Sequence, residues 1–187
     1  MEEEIQLYLD DSEEKMQKAV DHLINELAKV RAGKASPSML DGIMVDYYGS
    51  STPLNQVSNI NTPDARTIAV QPWEKSMIEP IEKAILASNI GLTPINNGEL
   101  IRINIPALTE ERRKDLMKKV KAFAEDARIS IRNSRRDAIE VFKKMVKEGL
   151  SEDLEKDAEA SAQQLTDKFN EKVEKVIGEK EKDIMTV

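Results

Sequence analysis

The sequence predicts an α+β protein: an elongated antiparallel three-helix bundle with a small, mostly β, α/β domain inserted into it. Two observations predict this class. Three long segments repeat apolar residues at gaps of three and four, which is typical of amphipathic helices. Between the first and second segments lie short runs rich in β-branched residues and all seven prolines, from Pro37 to Pro106. An aromatic share of only 4% also favours helices over a β-sandwich.

The first helical segment is expected to run from about residue 3 to residue 31. Gly33 and the pair Ser36-Pro37 follow it, and these residue types stop helices. Its apolar residues share one face, which must be buried against partners: Ile5, Leu9, Met16, Val20, Leu23, Leu27 and Val30.

The inserted domain is predicted to contain three strands and one short helix. The strands are expected over residues 43–48, 67–70 and 100–105, where β-branched and aromatic residues are frequent. Apolar residues return at helical spacing over 78–87. Residues 49–53 and 96–98 are rich in glycine, serine and asparagine and are predicted to be turns.

Two further long helices follow the inserted domain. Thr109 can cap a helix, and neither proline nor glycine occurs after Pro106 until Gly149. The predicted helix has about 40 residues and is roughly 60 Å long. Gly149 is expected to end it, and Ser151 with the acidic residues after it begins the last helix.

Three amphipathic helices bury their apolar faces most simply as an antiparallel bundle. The predicted bundle comprises residues 1–31 and 106–187, and the inserted domain comprises residues 32–105. The chain must then cross between the two parts twice, which creates a two-strand hinge. The residues expected in this hinge are Gly33, Lys34, Asn104 and Pro106.

Charge is distributed unevenly along the chain. The net charge is −7, yet between residues 108 and 148 there are 13 lysines and arginines against 8 acidic residues. The remainder has 15 basic residues against 27 acidic ones. This asymmetry points to a polyanionic partner for the long helix.

A basic stripe on the long helix is the candidate functional site. Seven residues make nearly two helical turns, so basic residues at this interval share a face. Between Arg112 and Arg136, 10 basic residues face only 3 acidic ones, so most are expected to lack an acidic partner one turn away. The residues of the basic stripe are Lys114, Lys121, Arg128, Arg132, Arg135 and Arg136.

Arginine predominates at the centre of the stripe, from Arg132 to Arg136. The planar guanidinium binds phosphate in two-point fashion, which favours nucleic acid as the polyanion. Few aromatic residues are available to stack on single-stranded bases. These features do not separate structured RNA from DNA, and a coiled-coil scaffold with a solvated basic face is an alternative.

Several other functions are disfavoured. The chain has no cysteine and a single histidine, His22, so neither a thiolate metal site nor a nucleophile–base pair is expected. No glycine-rich phosphate-binding loop occurs. We therefore expect no catalysis and no cofactor. The acidic N-terminus and the lack of long apolar runs predict a cytoplasmic protein that does not contact membranes.

Five motifs occur in a fixed order along essentially the whole chain: Arg31 to Asp41, Asp46 to Gly49, Leu108 to Asp115, Arg132 to Ala138 and Leu165 to Asp167. Together they resemble the bacterial ribosome recycling factors, also called ribosome-releasing factors. Two of them are eight or more residues long and a third has seven, so the combined resemblance is specific. The segment from Gln71 to Glu74 departs from the family pattern.

The resemblance implies an L-shaped, tRNA-like protein that acts after translation termination. It implies that the bundle binds rRNA of the large ribosomal subunit at the intersubunit face. With elongation factor G and GTP, such a protein splits the post-termination ribosome into subunits and releases mRNA and tRNA. It performs no chemistry itself, and we expect it to be a monomer.

The resemblance also assigns residues to these roles. By motif match, Arg31, Arg132 and Arg135 are the expected main rRNA contacts, with Arg112 and Arg136 supporting them. Arg128 joins this set through its place in the basic stripe. Gly33 and Pro106 match the hinge of the family.

Overall fold

The computed structural model describes residues 1–186, which form two compact units. One unit comprises Met1–Ala32 and Glu110–Thr186, and the other spans Gly33 to Thr109. The first crossing lies one residue after the predicted boundary, and the second lies four residues after it. Pro106 to Thr109 therefore belong with the inserted unit.

The helical unit contains three long helices, α1 (Glu2–Ala28), α3 (Glu110–Lys147) and α4 (Glu152–Met185). Lys143 of α3 lies opposite Glu159 of α4, and Arg128 lies opposite Glu174, so these helices are antiparallel. Lys168 and Lys172 of α4 bond to Glu13 and Gln17 of α1, so α1 and α4 are parallel. The predicted up-down-up bundle is confirmed.

Helix ends follow local chemistry. Gly149, with φ +111°, donates to the carbonyl of Val146, and Leu150 donates to that of Met145, so the glycine caps α3 as predicted. The hydroxyl of Ser151 accepts from the amide of Leu154 and begins α4. Helix α1 ends three residues before the predicted end at residue 31. Its last turn tightens, because Val30 donates three residues back, to Leu27.

The inserted unit contains six strands, one α-helix, α2 (Ile78–Ala87), and three short 3₁₀ helices. The strands are β1 (Met44–Tyr47), β2 (Ser50–Pro53), β3 (Ser58–Asp64), β4 (Thr67–Pro72), β5 (Pro94–Asn96) and β6 (Ile101–Asn104). Strands β1 and β2 form a hairpin, and the other four form an antiparallel sheet in the order β3-β4-β6-β5. Ile68, Val70, Ile81, Ile101 and Ile103 are fully buried in its core.

One predicted turn is wrong. Residues 49–53 were expected to form a turn, but Ser50–Pro53 is strand β2, and its register pairs Tyr47 with Ser50. Only Tyr48 and Gly49 turn the chain, both with positive φ, at 49° and 85°. Such two-residue turns match the twist of the strands they join, so a strand can begin immediately after the glycine.

None of the helices in the described chain is long and apolar enough to cross a membrane.

Candidate nucleic-acid interface

Helix α3 presents the basic stripe because its opposite face is buried between α1 and α4. The buried residues recur every 3 or 4 positions: Leu116, Val120, Ala124, Ala127, Ile131, Ser134, Ala138, Phe142 and Met145. The sequence predicts an apolar face made of Leu116, Val120, Phe123, Ala127, Ile131, Ala138, Phe142 and Met145. The structure differs at three positions: Ala124 and Ser134 are buried as well, and Phe123 is only half-buried. Ser134 was missed because it is polar.

Burial of Ser134 is compatible with the apolar face because its hydroxyl is bonded. It donates to the carbonyl of Ser130 at 3.0 Å, one turn earlier. The carbonyl of Ser134 accepts from the hydroxyl of Ser12 on α1 at 3.4 Å. The residues on either side of Ser134 in the arginine-rich motif are thereby directed outward from a fixed point in the bundle.

Three arginines surround this point and form what we call the arginine cluster: Arg132, Arg135 and Arg136. Arg132 and Arg136 are exposed, and Arg135 is half-buried. They line a shallow depression of about 630 Å³ together with Lys143 and two carboxylates, Glu140 and Glu159, while Ile129 and Ile139 contribute apolar surface. The cluster can therefore offer both charge and shape to a ligand.

The members of the cluster differ in their partners. Arg136 donates to the side-chain amide oxygen of Asn133 at 3.3 Å, which leaves its charge uncompensated. Among residues 1–186, Arg135 makes neither an ion pair nor a hydrogen bond through its side chain. Arg132 does have an acidic partner, because its Nη2 lies 2.8 Å from Oε1 of Glu125.

Arg128 has more acidic partners than the spacing of basic residues along α3 predicted. Its Nη2 bonds to Oε1 of Glu174 on α4, and its Nη1 lies 3.6 Å from Oε2 of Glu125. The hydrogen bond to Glu174 is the main cause that raises the pKa of Arg128, against the opposing effect of partial burial. Arg128 therefore links α3 to α4, whereas the sequence predicted a cation open to solvent.

The expectation that basic residues lack acidic partners holds only for part of the stripe. Glu125 lies three residues before Arg128 and seven before Arg132, and Lys114 pairs with Glu110 at 3.4 Å. A prediction that considers only an acidic residue four positions away on the same helix misses both contacts of Glu125. The contact with Glu174 comes from another helix, which a single-helix pattern cannot reveal.

Arg31 and Arg112 are exposed and lie apart from the arginine cluster. Arg31 follows the last turn of α1, and Arg112 is in the first turn of α3. Because α1 and α3 are antiparallel, both lie toward one end of the bundle. Arg132 is 20 residues further along α3, which corresponds to about 30 Å.

The predicted hinge residues all lie within the inserted unit. Gly33 has φ +71°, and a Cβ there would be 2.8 Å from Cγ of Leu108, so both conformation and space require glycine. Lys34 and Pro106 are exposed. Asn104 is the last residue of β6 and pairs with Thr67, so it belongs to the sheet and precedes the crossing.

The family model of ribosome recycling factors matches residues 23–185. The chain belongs to the ribosome recycling factor family. It is 57% identical over 173 residues to the ribosome-recycling factor of Porphyromonas gingivalis, covering 92% of this chain and 93% of that one. It is 54% identical to the factor of Flavobacterium johnsoniae over the full length of both chains. The family comprises translation factors that are not enzymes.

Solved structures of ribosome recycling factors share the fold. A solution structure is 38% identical, with a TM-score of 0.71 and 98% of each chain covered. The T. thermophilus factor is 44% identical, with a TM-score of 0.60, 97% of this chain and 98% of that one. That factor has been described together with E. coli elongation factor G, bound to the E. coli post-termination complex.

Proposed function

We propose that this protein binds rRNA of the large ribosomal subunit through the arginine cluster on α3. With elongation factor G and GTP, it then splits the post-termination ribosome and releases mRNA and tRNA. The observation that supports the proposal most is that Arg132, Arg135 and Arg136 project outward around Ser134, which is buried in the three-helix bundle and hydrogen-bonded. The similar T. thermophilus factor, found with elongation factor G on a post-termination complex, supports the partners.

Phosphate is the chemistry that the cluster fits best. Each guanidinium presents planar donors that match phosphate oxygens, and a fixed helix holds the donors at constant spacing. Arg31 and Arg112 provide a second, separate contact toward one end of the bundle. Two contacts about 30 Å apart along a rigid bundle favour a structured RNA surface over a flexible strand.

The inserted unit acts as the part on which elongation factor G pushes. The chain crosses between the units at Ala32–Gly33 and at Thr109–Glu110, and these crossings form the hinge of the proposed mechanism. Gly33 and Pro106 lie close to the two crossings. The protein acts as a monomer in the cytoplasm, because its three helices bury their apolar faces within one chain and its substrate is the ribosome.

Binding to purified large subunits at several salt concentrations tests this proposal. The variant Arg132→Ala/Arg135→Ala is expected to bind about 10- to 100-fold more weakly, with a salt dependence reduced by about two phosphate contacts. Neither side chain lies on the buried face of α3, so helical content and thermal unfolding should stay unchanged.

The matched control is Lys83→Ala/Arg102→Ala, which removes the same charge from exposed positions of the inserted unit. It is expected to bind nearly as the wild type does. Equal binding by the wild type and Arg132→Ala/Arg135→Ala would contradict the proposal. A helical scaffold would instead self-associate and remain indifferent to both variants.

A further inference from the structure

Two exposed aromatic residues lie near one end of strand β4 in the inserted unit. Tyr48 is in the turn between β1 and β2 and is 75% exposed, and Trp73 directly follows β4 and is 68% exposed. Glu74 connects the two positions, because its carboxylate accepts hydrogen bonds from the hydroxyls of Tyr47 and Tyr48, at 2.9 Å and 2.8 Å. We call Tyr48 and Trp73, together with Glu74, the aromatic patch.

The hairpin that carries Tyr48 is held in place by its own contacts. The rings of Tyr47 and Tyr48 pack edge to face, with their centroids 4.7 Å apart. The amide of Gly49 donates to Oδ1 of Asp46 at 2.9 Å and closes the turn. An aromatic side chain that is already ordered loses little conformational entropy when a partner binds it.

Tyrosine is an unusual residue for the position that Tyr48 occupies. Its φ is 49°, a conformation that asparagine and glycine adopt far more readily than a bulky side chain does. The hydrogen bond to Glu74 orients the ring but leaves most of the residue exposed. Backbone strain at an exposed aromatic residue is typical of a functional contact.

The charges near the aromatic patch disfavour RNA as its ligand and favour a protein. Asp46 and Glu74 place carboxylates beside the tyrosine rings, and these repel phosphates. Residues 33–109 contain 5 basic residues against 7 acidic ones, whereas the arginine cluster lies on α3. Tryptophan and tyrosine are also among the residue types that contribute most binding energy at protein interfaces.

The size of the aromatic patch fits a transient protein partner. Its two exposed side chains present roughly 300 Å² of surface, whereas a stable complex buries about 800 Å² on each partner. The aromatic patch therefore suits the centre of a small interface and not a permanent dimer. In the proposed function, elongation factor G is the protein that engages the inserted unit, and it does so only during splitting.

We infer that Tyr48 and Trp73 are the contacts through which elongation factor G engages the inserted unit. This assignment rests on the proposed function, which gives the push to this unit but to no residue. The hydrogen bonds of Glu74 then have a mechanical role, because they hold the β1–β2 hairpin at the end of β4 while force is applied.

The test measures ribosome splitting at a series of elongation factor G concentrations. In the variant Tyr48→Asn/Trp73→Ala, asparagine suits the positive φ of the turn, so the melting temperature should change by less than about 4 °C. The concentration of elongation factor G that gives half the maximal rate is expected to rise about 5- to 30-fold. Binding to large subunits without elongation factor G should change less than about twofold, because the arginine cluster is intact.

The matched control is Leu86→Ala/Ile95→Ala, which removes exposed apolar surface from α2 and β5, at residues that are 55% and 58% exposed. We expect it to change the required concentration of elongation factor G by less than about twofold. Trp73→Phe keeps an aromatic ring and should stay within about threefold of the wild type.

Three results would overturn the assignment. The first is an unchanged requirement for elongation factor G in Tyr48→Asn/Trp73→Ala, or an equal rise in the control. The second is weaker binding of this variant to large subunits alone, which would make the aromatic patch an rRNA contact. The third is self-association of the wild type that the variant loses, which would make it a contact between two copies.

The proposed function fails separately, if the wild type does not split ribosomes with elongation factor G and GTP. The assignment alone fails if the wild type splits them and Tyr48→Asn/Trp73→Ala needs no more elongation factor G.

Discussion

Gly33, the first residue after the first crossing, is a position where substitution is expected to be costly. Gly33 has a positive φ and also lies against Leu108, whereas Gly42 has a positive φ, +81°, but open space around it. Comparing substitutions at Gly33 and Gly42 therefore separates the free-energy cost of backbone conformation from that of a steric clash.

We predict that Gly33→Ala destabilises the inserted unit by about 2–4 kcal/mol, since strain in the backbone adds to overpacking against Leu108. Gly42→Ala should cost only about 1–2 kcal/mol, from backbone strain alone. Hydrogen exchange of the amides in β4 and β6 measures the stability of this unit. Equal costs for the two variants would show that Leu108 moves aside freely.

The positions of the arginines on α3 could be predicted from the sequence, but their acidic partners could not. The spacing of Arg128, Arg132 and Arg135 correctly places them away from the buried face of α3. The same spacing gives no information on Glu174, which is 46 residues from Arg128 in sequence and reaches it from α4. Contacts between helices decide which arginines lack an acidic partner. A sequence pattern within one helix gives no information on such contacts.

At the scale of elements, the long helices were predictable and the edge strands were not. Apolar periodicity and caps such as Gly149 and Ser151 identify α3 and α4 to within a few residues. Strands β3 and β5 lie at the two edges of the sheet and carry polar residues and prolines. Edge strands need few buried side chains, so their sequences lack the pattern that reveals central strands.

Helix α4 offers a stabilising substitution. Gly178 lies inside this helix, its φ is not positive, and a Cβ there would meet no atom within 4 Å. We predict that Gly178→Ala raises the free energy of unfolding of the helical unit by about 0.5–1 kcal/mol, because alanine restricts the unfolded chain and favours helix. Urea denaturation followed by circular dichroism measures this, and a lower midpoint would contradict it.

At the scale of the whole molecule, the proposed mechanism needs two units joined firmly enough to transmit force. The sequence predicted two parts and two crossings, but placed the second crossing at residue 106. The structure places it after Thr109, because β6 ends only at Asn104 and Leu108 packs beside Gly33. A strand end and a following extended segment look alike in sequence, so this boundary could not be located from composition.

The role of the crossings can be tested by lengthening them. We predict that two extra glycines at each crossing, after Ala32 and after Thr109, leave binding to large subunits intact. Ribosome splitting should fall about tenfold or more, because a flexible connection does not transmit a push. Splitting is measured by light scattering with elongation factor G and GTP.

The control carries the same glycines in the exposed turn at Asn97–Gly98, because exposed loop tips generally accept insertions. It should split ribosomes at the normal rate. Normal splitting by the variant with flexible crossings would show that force does not pass through the hinge.

If a grip on rRNA by α3 enables this protein to split ribosomes, loss of the arginine cluster must abolish splitting. Post-termination ribosomes are incubated with elongation factor G and GTP, alone, with the wild-type protein, or with Arg132→Ala/Arg135→Ala, and free subunits are measured over time. We expect rapid splitting only with the wild type, and little above background with the variant. Absence of splitting with the wild type, or equal splitting with the variant, would contradict it.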